Sequence, residues 1–119
     1  MASTGLVPSL ATALGAVEEP ETLVAELFRS LDDSQRAAVC FGWDHLDAKR
    51  GLLRTRVANN WSITNRKVTS KFYTSDQQER IRAIFQGLIA PDWHQKYDQQ
   101  MLDDCGGWGD QSIGIFGAP

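Results

Sequence analysis

The feature that most constrains this chain is a proline set between two amphipathic stretches, Thr74 to Cys105. In the first stretch Ile81, Ile84, Phe85, Leu88 and Ile89 fall at i, i+3, i+4, i+7 and i+8, one apolar stripe at helical period. Asp76, Gln77, Glu79, Arg80 and Arg82 lie off that stripe. Thr74 with Gln77, and Ser75 with Gln78, both have the spacing of a capping box, and an acidic residue in the first turn suits the helix dipole. Pro91 cannot continue this helix but fits the first position of the next one. There Trp93, Tyr97 and Met101 recur every four residues, with Leu102 and Cys105 beside them, and Gly106-Gly107 ends the helix. Four or five large side chains buried at ~1.5–3 kcal/mol each form a large part of what a small domain has to spend. The two helices are therefore expected to be the floor on which the other segments lie.

The preceding chain is read in order. Residues 1 to 19 carry Gly5, Pro8, Gly15 and several small side chains, and read as a flexible tail with at most a short helix through Ser9 to Ala16. Pro20 starts a helix with the stripe Leu23, Val24, Leu27, Phe28 and Leu31. Asp32 with Gln35 caps a further helix, Ser34 to about Phe41. From Gly42 the character changes. Lys49, Arg50, Arg54, Arg56, Arg66, Lys67 and Lys71 are seven of the twelve basic residues, and no acid falls between the first and the last of them. Leu53, Thr55 and Val57 alternate with Arg54 and Arg56 at strand period, Asn59-Asn60 can turn the chain, and Trp61 to Thr64 can return it as a hairpin. Lys71-Phe72-Tyr73 is a third extended piece, and Ser112 to Phe116 a last strand. The expected architecture is α+β and mainly α-helical: three or four helices with a small antiparallel β-hairpin or sheet, in one domain over 20–119. A strand so close to Pro119 reads as a cut inside a longer protein. It is expected to pair with the basic segment, to pair with another molecule or to stay disordered, so self-association through 112–116 is one expected partner mode.

Charge and hydropathy narrow the function. A net charge of -3 favours neither nucleic acid nor a membrane surface as partner. No apolar run approaches the ~18 residues of a membrane span, and Met1 to Val17 lack the basic start of an intact signal peptide. Cys40 and Cys105 stand in no metal or redox spacing and read as buried free thiols, with a disulfide as the alternative. Which cofactor, if any, the chain uses is unknown from its sequence.

Several stretches together resemble a known family. Leu27 to Val39 (Leu-Phe-Arg-Ser-Leu-Asp-Asp-Ser-Gln-Arg-Ala-Ala-Val) is followed by Phe41-Gly-Trp-Asp44, then Gln86-Gly-Leu-Ile-Ala-Pro-Asp-Trp93, then Ser112-Ile-Gly-Ile-Phe-Gly117. In this order they resemble the amino-terminal part of the bacterial family called domain of unknown function 3500, from about Leu23 to Pro119. The resemblance implies a longer protein of mixed helix and sheet. It also implies a Trp-His-Asn-like motif in the first half and a Gly-His-His motif soon after the position of Pro119. Trp61 looks like the tryptophan of the first motif, with Ser62 where a histidine is expected. The resemblance supplies a fold context and no reaction.

Three functional readings remain open. The first is a non-catalytic structural amino-terminal portion of an uncharacterised bacterial protein. The second is a metal-dependent or small-molecule-handling enzyme completed by a carboxy-terminal half. Asp44 and His45 would then be metal ligands, since imidazole and carboxylate together hold metals and move protons. Asp44 and Asp47 serve equally to cap a turn. The third is an anionic-ligand binder using Arg54, Arg56, Trp61, Arg66 and Lys67, where guanidinium and ammonium neutralise phosphate and the indole stacks on a base. Its bland counterpart is a solvated basic face turned toward the acidic helices. His94 at a helix start reads as a surface or half-buried residue.

Overall fold

The computed structural model describes residues 19–58 and 61–119, so the expected tail and its short helix lie outside the described residues. The fold is mainly helical α+β. Among the described residues four α-helices, α1 (Pro20–Ser30), α2 (Asp33–Val39), α3 (Ser75–Gly87) and α4 (His94–Cys105), accompany four strands of two residues each. Strands β1 (Cys40–Phe41) and β4 (Ile115–Phe116) pair in parallel, and β2 (Leu46–Asp47) and β3 (Gly51–Leu52) pair antiparallel.

The main helical layer is α1 on α3. Pro20, at the start of α1, lies against Gly87 at the end of α3, where an added Cβ would stand 3.2 Å from Pro20 Cγ. At the other end Gln77, in the first turn of α3, donates to the carbonyl of Ser30. The two helices thus run antiparallel, and their stripes meet through Leu27, Leu31 and Ile81. Val39, Val68, Tyr73 and Ile115 complete the buried core.

Of the three capping-box spacings, Asp32/Gln35 and Thr74/Gln77 form and the structure joins them, whereas Gln78 donates to the Ser70 and Tyr73 carbonyls instead of capping with Ser75. The Asp32 side chain accepts the backbone N–H of Gln35 at 2.8 Å, while Gln35 Oε1 accepts that of Asp32 at 2.9 Å. Thr74 and Gln77 do the same for α3 at 3.1 and 3.0 Å. The two capping glutamines are 6% and 3% exposed, and they meet amide to amide, Gln35 Nε2 donating to Gln77 Oε1 at 2.7 Å. Gln35 Nε2 also donates to the carbonyl of Phe72, and Gln77 Nε2 to that of Ser30, at 2.7 and 2.9 Å. Burial of two primary amides is tolerated because partners surround them. The pair locks the start of α2, the start of α3 and the end of α1 into one unit.

Several expectations are corrected. The hairpin over 53–57 and 61–64 is not formed. Leu53–Thr55 is a 3-10 turn, and Trp61 to Thr64 carries no strand. Leu53 is buried there and Thr55 Oγ1 bonds back to the Leu52 carbonyl, a local bond that competes with a ladder. The antiparallel pair falls instead on either side of 48–50, where the Asp47 carboxylate accepts the N–H groups of Lys49 and Arg50, both at 2.9 Å, and so builds the turn. Residues 71–73 form turns rather than a strand. Helix α2 ends at Val39, so Phe41 belongs to a strand. The last strand takes β1 as its partner, and the preceding residues reach the basic segment through a Lys67–Ser112 bridge and a Val68 N–H to Gln111 carbonyl bond of 2.8 Å.

The proline-hinged pair is present, but as a floor it is only half realised. Helix α3 ends at Gly87, Pro91–Trp93 forms a 3-10 turn, and α4 ends at Gly106, whose φ is 86°. His94 Nε2 lies 2.9 and 3.1 Å from the carbonyls of Gln86 and Ile89. Carbonyls only accept, so this nitrogen carries the ring proton, and it donates to two helix-end acceptors, of which the Gln86 carbonyl also takes the Ile89 N–H at 3.2 Å. Helix α4 contributes no fully buried residue, and Leu88, Trp93, Tyr97 and Leu102 are exposed. The buried floor is α1 with α3, not α3 with α4.

Candidate functional site

The apolar stripe on α3 is wider than the face that α1 covers. Ile84 and Phe85 stay half-buried because they wall a cleft. Its volume is about 460 Å3. Its base is the core itself, Leu27, Val68, Ile81 and Ile115, and its sides are Val24, Ile84, Phe85, Trp108, Ile113 and Phe116. Leu88 and Met101 complete its lining. Of the fifteen lining residues only Gln111 and Ser112 have polar side chains. Both are partly engaged, Gln111 Nε2 donating to the Gly107 carbonyl at 2.8 Å and Ser112 Oγ accepting the Thr64 N–H at 3.4 Å.

Trp108 closes one side of the cleft. Its ring lies 4.8 Å from that of Phe85, and the Arg82 guanidinium lies 4.9 Å from the Trp108 centroid. Arg82 also ion-pairs with Asp98 on α4, which brings α4 to the cleft. Arg82 Nη1 and Asp98 Oδ1 are shut off from solvent without a hydrogen-bond partner among the described residues.

The sequence-predicted site residues fall elsewhere. Asp44 faces Arg54, with Oδ1 3.6 Å from Nη2, and the His45 ring lies 5.1 Å from that of Phe41. Among the described residues no three His, Cys, Asp or Glu side chains converge on a common point. Arg54 covers Trp43 at 4.4 Å and donates to its carbonyl at 2.9 Å. Arg56 and Arg50 lie 6.0 and 5.6 Å from the Trp61 centroid, and Arg66 lies 4.8 Å from that of Phe72. Lys67 pairs with Asp110 at 3.1 Å. The basic segment is therefore organised by aromatic faces and nearby carboxylates. The acids of α1 and α4 that form ion pairs turn to α3 instead, Glu26 to Arg80 and Asp98 to Arg82. That replaces the expected charge match between basic segment and acidic helices.

Three groups titrate away from their ordinary values. The Arg50 guanidinium, with the backbone N–H groups of Lys49 and Arg50, holds the Asp47 carboxyl down at about 2. Burial pushes the Tyr73 phenol up to about 12, with Cys40 adding to the rise and Arg66 opposing it. Burial also raises the Cys40 thiol, against the pull of Arg36. Both thiols are free, Cys40 half-buried and Cys105 exposed, so the reading of two buried thiols is corrected for Cys105.

The cleft was not among the sequence-predicted sites. One signal for it was present: the α3 stripe carries Ile84, Phe85 and Leu88 beyond what a single partner helix buries, and α4 adds only Met101 to the lining. No family model, curated protein or solved structure matches the chain. No helix among the described residues is long and apolar enough to cross a membrane.

Proposed function

We propose that this chain is a non-catalytic binding module that takes an uncharged, apolar small molecule in the cleft between α1, α3, Trp108 and the terminal strand. The observation that carries the reading is the lining: a concavity of about 460 Å3 in which the side chains are apolar except for Gln111 and Ser112. Small-molecule sites have volumes of roughly 300–1,000 Å3 and are mostly apolar with a few placed polar groups. An apolar guest gains from leaving water, while a charged one meets no dedicated counter-charge on the cleft lining. The resemblance noted above supports placing this module in the amino-terminal part of a longer bacterial protein, where binding rather than chemistry is its contribution.

The test is titration with an uncharged fluorophore such as N-phenyl-1-naphthylamine. The reading expects saturable enhancement at equimolar stoichiometry, reversal by a medium-chain alcohol, and loss in Ile84→Trp, which fills the cleft. Enhancement that persists in Ile84→Trp would assign the dye to the exposed apolar residues of α4 and remove the proposal.

A further inference from the structure

A second concavity of different chemistry lies beyond the terminal strand from the cleft. Its volume is about 570 Å3, and Phe41, Ile63, Arg50, Ser62, Asn65 and Arg66 are among the residues lining it. The strand approaches it closely: a Cβ on Gly114, which also lines the apolar cleft, would stand 2.9 Å from Ile63 Cδ1 and 3.3 Å from Phe41 Cε2. The two sites therefore sit back to back across Gly114 and share little of their lining.

Arg50 is already fixed in place. Its Nη2 donates to Asp47 Oδ2 at 3.1 Å, its Nη1 to the Ile63 carbonyl at 3.3 Å, and its guanidinium faces the Trp61 ring. A side chain ordered beforehand loses less freedom when a ligand arrives. Arg66 rests on Phe72, and among the described residues its guanidinium has no carboxylate at ion-pair distance. No acidic residue occurs from Lys49 to Lys71, so the segment itself brings no competing anion. Phe41 and Ile63 give the same space an apolar wall.

We propose that this concavity binds a small organic anion, its oxyanion taken by Arg50 and Arg66 and its apolar body laid on Phe41 and Ile63. Guanidinium groups are suited to the task because they stay charged and present paired N–H donors to carboxylate or phosphate oxygens. Ser62 and Asn65, on the same lining, carry further donor groups. The site differs from the one expected from sequence: Arg54 and Lys67 turn to Asp44 and Asp110 and are not on this lining, whereas Arg50, which also pairs with Asp47, lines it beside Arg66.

The experiment is a backbone-amide NMR titration of the full chain with benzoate, phenyl phosphate and inorganic phosphate. Saturable shifts are expected at Ser62, Asn65 and Arg66 with benzoate or phenyl phosphate, and which of the two binds tighter identifies the head group. Arg66→Ala is expected to weaken that binding about tenfold, the loss of one charge-assisted pair, while Arg54→Ala changes it by less than about twofold. Equal losses in both variants would mean a diffuse basic surface and overturn the proposal. Inorganic phosphate binding as tightly as phenyl phosphate would overturn the apolar half of it, and absence of saturable shifts with both organic anions would overturn it entirely. The shift map of the unaltered chain stands on its own if Arg66→Ala fails to fold.

Discussion

Replacing Gln77 by alanine removes the bond that joins the two capping boxes. Gln77 is 3% exposed, and its amide accepts from Thr74 N–H at 3.0 Å and from Gln35 Nε2 at 2.7 Å, while donating to the Ser30 carbonyl at 2.9 Å. Each such bond contributes ~0.5–1.5 kcal/mol net, and a buried group left without its partner costs ~1–3 kcal/mol. Thr74 N–H regains little, because it lies at the start of a helix with no intrahelical acceptor. Gln35 keeps its bond to the Phe72 carbonyl, which limits the damage. Together the three losses predict about 3–4 kcal/mol, a large share of the ~5–15 kcal/mol typical of a folded domain. Thr74→Ala, which removes a single cap, is predicted to cost about 1 kcal/mol. The assay is urea unfolding followed by circular dichroism, with the slope compared between variants so that a change in the unfolded state is recognised. In a double-mutant cycle with Gln35→Ala, the second substitution should cost clearly less than it does alone, because the two amides share one set of bonds. A Gln77→Ala cost no larger than that of Thr74→Ala, or strictly additive costs, would refute the idea of a joined cap.

Four further predictions follow from other parts of the molecule. The Tyr73 hydroxyl is buried without a hydrogen-bond partner among the described residues, so Tyr73→Phe is expected to leave stability unchanged or raise it by up to about 2 kcal/mol, read by the same unfolding assay. Asp47 is held at about 2, below its unfolded value, so its contribution to stability is present above pH ~4 and lost as pH falls toward 2; Arg50→Ala should return its titration, followed by carboxyl NMR, toward the ordinary ~3.9. Cys105 should react with a thiol reagent well before Cys40, which is half-buried with a raised thiol, giving two separable phases. His94→Phe leaves the Gln86 and Ile89 carbonyls without their shared donor, and a loss of about 1–2 kcal/mol is expected, with earlier hydrogen exchange at the start of α4.

How far the sequence revealed this molecule depends on the range of the interaction involved. Both capping boxes, the Pro91 break and the Gly106 end were legible because each is decided within four or five residues. The alternation Leu53-Arg54-Thr55-Arg56-Val57 looked like a strand, yet its side chains are set by distant partners. Leu53 goes to the interior, and Arg54 reaches Trp43, eleven residues back. Tertiary contacts commonly override β-propensity in this way. The depth of α4 was overestimated for a related reason: its stripe of Trp93, Tyr97 and Met101 is real, but Trp93 and Tyr97 stay about half exposed. The basic segment showed its charge but not its pairing, because a guanidinium facing an aromatic ring leaves no periodic mark in sequence. The cleft is a gap between three segments far apart in the chain, and such gaps become visible only when those segments are placed together.

The central claim is that the space between α1, α3 and the terminal strand receives an apolar guest. Isotope-labelled isoleucine methyls report on it directly, since Ile81, Ile84, Ile113 and Ile115 line the cleft while Ile63 lines the other concavity and Ile89 lines neither. Titration with an uncharged apolar probe is predicted to shift the first four methyl resonances to saturation and to leave Ile89 in place. Movement of Ile89 with the four cleft methyls unmoved would contradict the account.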